Sequence, residues 1–397
     1  MRRYRVDVRD AALRRVGQID TYTSLDVIVR HLDIGAWTLA LPADHPHVRL
    51  FTSGGAGVMI WSDDAPEPLL TGPVTGIRHE WSQSAGAGTV TYSGVCDNTV
   101  LGARLAFPDP TRTPDSGNGR YATDYWTATG SAGDIITALV SANAGGNALP
   151  DRRVPGLDTG PRTGLGAATK VSLRFDTLLS AVQTLASTSG LSARITQPDP
   201  ATPRLALQIT TTRDLGGAVR FSAELGNLNS YAYQLTAPRT TRAIVAAQGQ
   251  GAARFFWQWT TPDAETEWSR ASETFVDQRD TAIPERLDES DPQFKALRTA
   301  AANALQQGGA QAELSLAPVD TEQCQYGRDY HVGDIVTVTT TAGTDLTYPV
   351  REIHLSDTAD ASAVQATVGT EAATQTPALY AQVRRLWQAV HQLNTRY

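Results

Sequence analysis

Over roughly the first hundred positions, apolar and polar residues alternate in short runs, with turn residues about every ten positions. Trp37-Thr38-Leu39-Ala40-Leu41 closes at Pro42, and Val58-Met59-Ile60-Trp61 closes at Ser62-Asp63-Asp64. Leu69-Leu70 runs through Gly72-Pro73 to Val74 and Ile77, and Thr89-Val90-Thr91-Tyr92-Ser93-Gly94-Val95 follows a further Gly-rich turn. A period of two in segments this short predicts meander strands over residues 1–107, in an antiparallel barrel or sandwich.

From Phe107 to Tyr121, Pro108, Pro110, Pro114 and Asp115-Ser116-Gly117-Asn118-Gly119 leave too little apolar content for a core element, so a loop or boundary is expected. Beyond it the period changes. Asp134 to Val140 fits a short helix capped near Ser131, and Asp176 to Ser187 puts Leu178, Leu179, Val182 and Leu185 on one helical face. Strands resume at Leu191-Ser192-Ala193-Arg194-Ile195 and at Leu205-Ala206-Leu207-Gln208-Ile209. Residues 108–235 therefore read as a smaller α/β connecting segment.

A second β-rich domain is expected over residues 236–375. Its strands are Ala243 to Ala247, the aromatic run Phe255 to Trp259, Glu313 to Leu316, Ile335 to Val338 and Tyr348 to Ile353. Within it, Pro292 to Gln307 carries Phe294, Leu297, Ala301 and Leu305 at helical spacing, and Gly308-Gly309 ends the run. The absence of a sequence repeat at a fixed period disfavours a solenoid or propeller. The fold class expected is mainly β with α+β insertions.

After the polar stretch Glu371 to Thr376, the apolar residues are Leu379, Val383, Leu386, Val390 and Leu393. Their separations of four, three, four and three make a heptad seam with Val at a and Leu at d. Residues 376–397 are expected to form a self-association or docking helix. The competing arrangement is an amphipathic helix lying on its own domain. Val at a with Leu at d leans towards two strands, although a seam of about two heptads specifies stoichiometry poorly.

Composition narrows the function. An apolar content of 41% with 19% charged residues fits a folded chain rather than a disordered or fibrous one. The net charge of −7 argues against a dedicated nucleic-acid binder, which needs a basic surface to displace counterions. It suits a surface that DNA passes without sticking. Among 34 basic residues only Lys170 and Lys295 are lysines, a coding bias rather than a functional signal. No apolar stretch follows Met1-Arg2-Arg3-Tyr4-Arg5-Val6, and no window reaches the ~18 apolar residues of a membrane span, so synthesis in the cytoplasm without an export signal is expected.

Candidate chemistry is sparse. Cys96 and Cys324 are read as two isolated, buried thiols with no disulfide framework. His45 and His47 flank Pro46 without a third ligand nearby, and His31, His79, His331, His354 and His391 are scattered, so no metal site is assigned. Asp63 with Asp64, and Asp320 with Glu322, are the carboxylate pairs a glycosidase reading could recruit, and are read as turn caps. There is no Gly-x-Ser-x-Gly elbow. Gln248-Gly249-Gln250-Gly251 imitates two glycines of a dinucleotide fingerprint, but Arg254 holds the third position and a strand, not a helix, is expected next. That run and Gly54-Gly55-Ala56-Gly57 are read as turns. No catalytic, cofactor-binding or metal-binding residue is expected, and the chain is read as non-enzymatic.

Several stretches, in order along the chain, resemble the hub proteins of long-tailed actinobacterial phages. That family is similar in fold to the baseplate hub of contractile phages and to the spike-bearing hubs of contractile injection systems. The stretches are Leu32 to Pro42, Gly57-Val58-Met59-Ile60-Trp61, Leu70-Thr71-Gly72-Pro73-Val74, Ala243 to Gly251 with Arg254 close behind, and Tyr330 to Val338. The resemblance implies two tube-like antiparallel β-barrels per subunit and a homotrimeric ring presenting six similar barrels to a hexameric tail tube. It implies as partners a distal tail protein, the tape-measure protein and DNA in the lumen, and fibres or a tip protein below. It also favours three strands over two at the C-terminal seam.

Two other classes remain to be weighed. A hub of a contractile injection particle or tailocin would look the same in sequence. A carbohydrate- or receptor-binding module would use Trp126, Trp257, Trp259 and Trp268 as stacking surfaces, whereas their apolar neighbours predict core packing.

Overall fold

The computed structural model describes residues 4–368 of the 397, apart from 52–53, 63–64, 84–87, 117–118 and 342. The seam residues Leu379, Val383, Leu386, Val390 and Leu393, and the pair Asp63 and Asp64, lie outside the described residues. The fold is mainly β, with helices inserted between the sheets. Two compact units form, neither continuous in sequence. The first runs up to Ser230 and takes in Leu316–Val338 and Pro349–Thr367, and the second combines Tyr231–Ser315 with Thr339–Tyr348.

In the first unit, seven strands follow one another: β1 (Tyr4–Arg9), β2 (Arg15–Ile19), β3 (Ser24–Arg30), β4 (Ala36–Pro42), β5 (Gly57–Ser62), β6 (Leu70–Glu80) and β7 (Thr89–Val95). Alternation decides which face is buried. Leu25, Val27 and Val29 of β3 point inward with Trp37, Leu39 and Leu41 of β4, while Ser24, Asp26 and Thr38 are only half-buried. The pairing order runs β3–β4–β7–β6–β5–β1–β2, all antiparallel. On its other side β3 pairs with residues 352–358 of the strand Asp345–Thr358, so Val27 faces Leu355 across more than three hundred positions. The path does not close on itself among the described residues. Opposite Trp37 stands Gly94, where an added Cβ would lie 2.4 Å from the indole; only glycine leaves the ring its room.

An α/β module follows. Helix α1 (Thr99–Gly102) leads on to β8 (Trp126–Ser131), α2 (Ala132–Asn143), β9 (Leu157–Asp158), β10 (Ala168–Leu173), α3 (Leu178–Thr188), β11 (Leu191–Thr196) and β12 (Leu205–Thr211). Ser131 caps α2 by accepting from the Asp134 amide at 3.3 Å, and Thr177 caps α3 by accepting from Ser180 at 3.1 Å. Ile136, Leu139, Leu178 and Val182 then meet Leu191, Ala193 and Leu205 in one apolar core. Each fully buried Leu or Ile contributes roughly 2 kcal/mol of transfer free energy.

The second unit centres on the strand Arg242–Ala246, antiparallel to Phe256–Thr260 and parallel to Glu273–Asp277. Helix Pro292–Gln307 packs on one face, where Leu297 and Ala301 meet Ala243, Val245 and Ala247. Asp291 caps it, accepting from the Gln293 and Phe294 amides at 2.8 and 3.2 Å, with Pro292 in the first turn. The helix Pro262–Trp268, which buries no residue, and the strands Leu228–Thr236 and Glu273–Asp277 escape the sequence reading.

Candidate functional site

The loop Tyr330–Asp334 gathers a polar cluster within the first unit. Gly333 has φ +91°, a left-handed conformation that glycine tolerates, and its amide donates to the Val350 carbonyl at 2.7 Å. A Cβ there would sit 2.6 Å from the His31 ring and 2.8 Å from Ser192 Oγ. The bare glycine therefore lets the His31 ring lie flush against the loop. His31 Nε2 is 2.8 Å from Ser192 Oγ on β11. Burial pushes the imidazole down to about 4, against the opposing pull of the Asp334 carboxylate.

Asp334 itself accepts from Arg213 Nε at 2.8 Å, from Arg213 Nη2, and from the His331 amide at 2.7 Å. Burial alone raises a carboxyl; here the hydrogen bonds from His331 and Arg213 outweigh it and hold Asp334 below its usual range. Arg213 Nη2 also donates to His331 Nδ1 at 2.9 Å. This cluster lines a cleft of about 910 Å³ whose floor includes Leu70, Ile195 and Leu207. Of the arginines on its wall, Arg30 pairs with Glu352 at 2.7 Å, Arg194 with Glu67 and Arg213 with Asp334, so each positive charge already has its carboxylate.

Ser192 and His31 are within the reach of a nucleophile and its base, a pairing the sequence reading did not find because the two are 161 positions apart. Burial works against that chemistry. A general base works best with a pKa near the working pH, and an imidazole held at about 4 draws a serine proton weakly. The His31 ring joins β11 to the Gly333 loop.

A second buried cluster ties the first sheet to the α/β module. Arg9 donates to Asp97 through Nη1 at 3.0 Å and Nη2 at 2.6 Å, and through Nη1 to Gln197 Oε1 at 3.0 Å. Thr71 Oγ1 donates to Asp97 at 2.5 Å and accepts from the Gln197 amide at 3.0 Å. Gln197 Nε2 in turn donates to the Leu13 carbonyl at 2.8 Å. Bidentate geometry with these added partners is what permits an ion pair to sit inside a protein.

The candidates from sequence fall apart spatially. His45 Nε2 meets Thr21 Oγ1 at 3.1 Å, and Nδ1 accepts from the His47 amide at 3.2 Å, fixing a turn. Among the described residues no group of three His, Cys, Asp or Glu side chains converges as a metal site would. Asp320 accepts from the Tyr326 amide at 3.3 Å, while the Glu322 carbonyl accepts from Arg328 at 2.6 Å; both help fold one turn. Burial pushes both thiols up to about 11, that of Cys96 beside the Gly35 amide and that of Cys324 near Asp329. Neither is a nucleophile at neutral pH.

Gln248 to Arg254 is the hairpin loop between two strands, with Arg254 Nε donating to the Ala247 carbonyl at 3.0 Å. Trp257 and Trp259 lie half-buried with ring centroids 5.6 and 5.5 Å from Phe294 on the helix, and Trp126 packs against the α/β core. No helix among the described residues is long and apolar enough to cross a membrane.

Two solved structures share this fold across nearly the whole chain. One is the 43 kDa tail protein of prophage MuSo2 from Shewanella oneidensis, with a TM-score of 0.55 at 11% identity, covering 94% of this chain and 100% of that one. The other is the tail protein from Neisseria meningitidis MC58, with a TM-score of 0.53 at 14% identity, covering 95% and 98% respectively. No curated protein sequence matches. The profile of the Siphovirus ReqiPepy6 Gp37-like proteins matches residues 5–370. With that match spanning nearly all of its length, the chain belongs to the Siphovirus ReqiPepy6 Gp37-like family and carries the fold of solved tail proteins.

Proposed function

We propose that the chain is a structural hub of a phage tail tip, a homotrimeric ring that joins the tail tube to the tip and surrounds the channel for the tape-measure protein and DNA. The observation that carries this reading is extent: the family match runs over residues 5–370, and two tail-protein folds cover 94% and 95% of the chain. The net charge of −7 suits a wall that DNA slides past. The partners on this reading are a distal tail protein, the tape-measure protein, and fibres or a tip protein. The tube-like barrels supply most of the subunit contacts, while Leu379, Val383, Leu386, Val390 and Leu393 organise the axis or dock the next protein. Two heptads are too short to hold a ring alone.

The test is negative-stain microscopy of the purified full chain. Three-fold rings with a central hole are expected, and a particle of single-chain size at every concentration would overturn the reading.

A further inference from the structure

At one end of the two-stranded ribbon of β8 and β10, the first unit gathers aromatic rings at its surface. One step beyond the last strand pair, Trp126 with Leu173, Arg174 carries its guanidinium 6.0 Å from the centre of the Tyr125 ring. Phe175 follows, its amide donating to the Ala106 carbonyl at 2.8 Å, and the Ala106 amide returns a bond of 2.8 Å to the Asp176 carbonyl. These bonds set Phe175 beside Phe107 and Tyr121. The three rings meet edge to face, with centroids 5.7, 5.9 and 6.4 Å apart and planes inclined at 65–70°. Arg152 lays its guanidinium 3.5 Å from the centre of the Phe107 ring, so each ring is held by its neighbours.

Phe175 is the unusual member. Its φ of +60° is a left-handed conformation that a bulky L residue avoids. Leu13 and Leu32 share it, but Leu32 is buried and Leu13 packs against the α/β core, so their contacts offset the strain. Phe175 instead leaves 37% of its surface exposed, and Tyr125 leaves 51%. The strained backbone holds an apolar ring at the surface, a combination that folding alone does not favour and that recurs at ligand clamps.

Size and charge select the ligand. Two rings of about 150–250 Å² each, exposed to that extent, offer together roughly 200 Å², far below the ~800 Å² per partner of a stable protein interface. That area matches one or two sugar rings. Tyr121 lies in the field of Arg112 and Arg152 against Asp109 and Asp115, while Asp124, Arg174 and Asp176 adjoin the exposed rings in sequence. Arg104 and Asp151, both near Arg152, offset each other in the same way. No positive excess is left to hold a phosphate backbone. We propose that Tyr125 and Phe175 form a stacking platform for the apolar C–H face of a neutral saccharide, whose hydroxyls meet the flanking Asp124, Arg174 and Asp176. The platform is held rigid before the ligand arrives, which lowers the entropy lost on binding. It belongs to the first unit alone and stands whether or not the chain closes into a ring.

The experiment uses the full chain with three neutral probes, maltotriose, mannotriose and galactotriose, titrated by saturation-transfer NMR. Transfer to the ring C–H protons of at least one probe is expected, and Tyr125→Ala and Phe175→Gly should each weaken that binding about tenfold. Glycine tolerates φ +60°, so Phe175→Gly removes the ring without adding strain, and its circular-dichroism melt should not fall. Phe275→Ser, in the second unit, should leave the transfer unchanged. Absence of transfer from all three probes overturns the proposal, as does transfer that survives both Tyr125→Ala and Phe175→Gly. Tighter binding of a single-stranded oligothymidylate than of any trisaccharide overturns the neutral saccharide as the ligand.

Discussion

The first unit keeps its best-formed ion pair inside, and the second carries its ion pairs at the surface. Arg9 and Asp97 are each 4% exposed at the side chain and share Thr71 and Gln197 as further partners. In the second unit, Arg242 holds Glu265 at about 2, with Thr241 assisting, and Arg279 and Arg254 hold Asp277 at about 2. The exposed pairs are screened by water and salt, so their strong hydrogen bonds translate into little stability. The buried pair fixes which strand end meets which, because neither charge has water to fall back on.

Three measurements sharpen or break this contrast. The largest effect is expected from Asp97→Ala, which leaves the Arg9 guanidinium buried without its carboxylate and should cost about 3–5 kcal/mol in denaturant unfolding. A loss below about 1 kcal/mol would mean that water reaches the site.

Next comes acid. His31 titrates near 4 in the folded chain against 6.5 in the unfolded one, so its contribution is fully present above pH 6.5 and lost as pH falls from 6.5 towards 4. Over that window wild type should lose on the order of 3 kcal/mol more than His31→Gln does. Parallel pH profiles for the two would remove His31 from the account. The smallest effect is expected from Phe275→Ser in the second unit, where the ring is 55% exposed on the sheet face away from the helix: a change within about 0.5 kcal/mol by the same unfolding assay. A large loss there would show that this face is covered.

Legibility in the sequence followed the range of the interactions. Helix Pro292–Gln307 was readable to the residue because Asp291, Pro292, the spacing of Phe294, Leu297 and Ala301, and Gly308 all act within a few positions of one another. Ser131 as the cap of α2 was readable for the same reason. The strand Glu273–Asp277 was not, since Glu273, Phe275 and Asp277 are exposed and leave only Thr274 and Val276 to mark a buried face. The helix Pro262–Trp268 has no apolar stripe at all. Of the buried clusters, one signal was present and unread: Asp7 and Arg9 interrupt the apolar β1, and a charge in a strand buried on both faces needs a partner somewhere. Nothing local could name Asp97 as that partner.

The sequence by itself determined where those strands, helices and turns fall whose period, caps and glycine conformations are set by neighbours in the chain. It also carried the resemblance that the family match bears out. Tertiary structure decided the rest. It brought residues 352–358 beside β3 and laid His31 and Ser192 against Gly333. Contacts between distant segments are chosen by packing and by the satisfaction of buried polar groups, and a one-dimensional pattern specifies neither the partner nor the register.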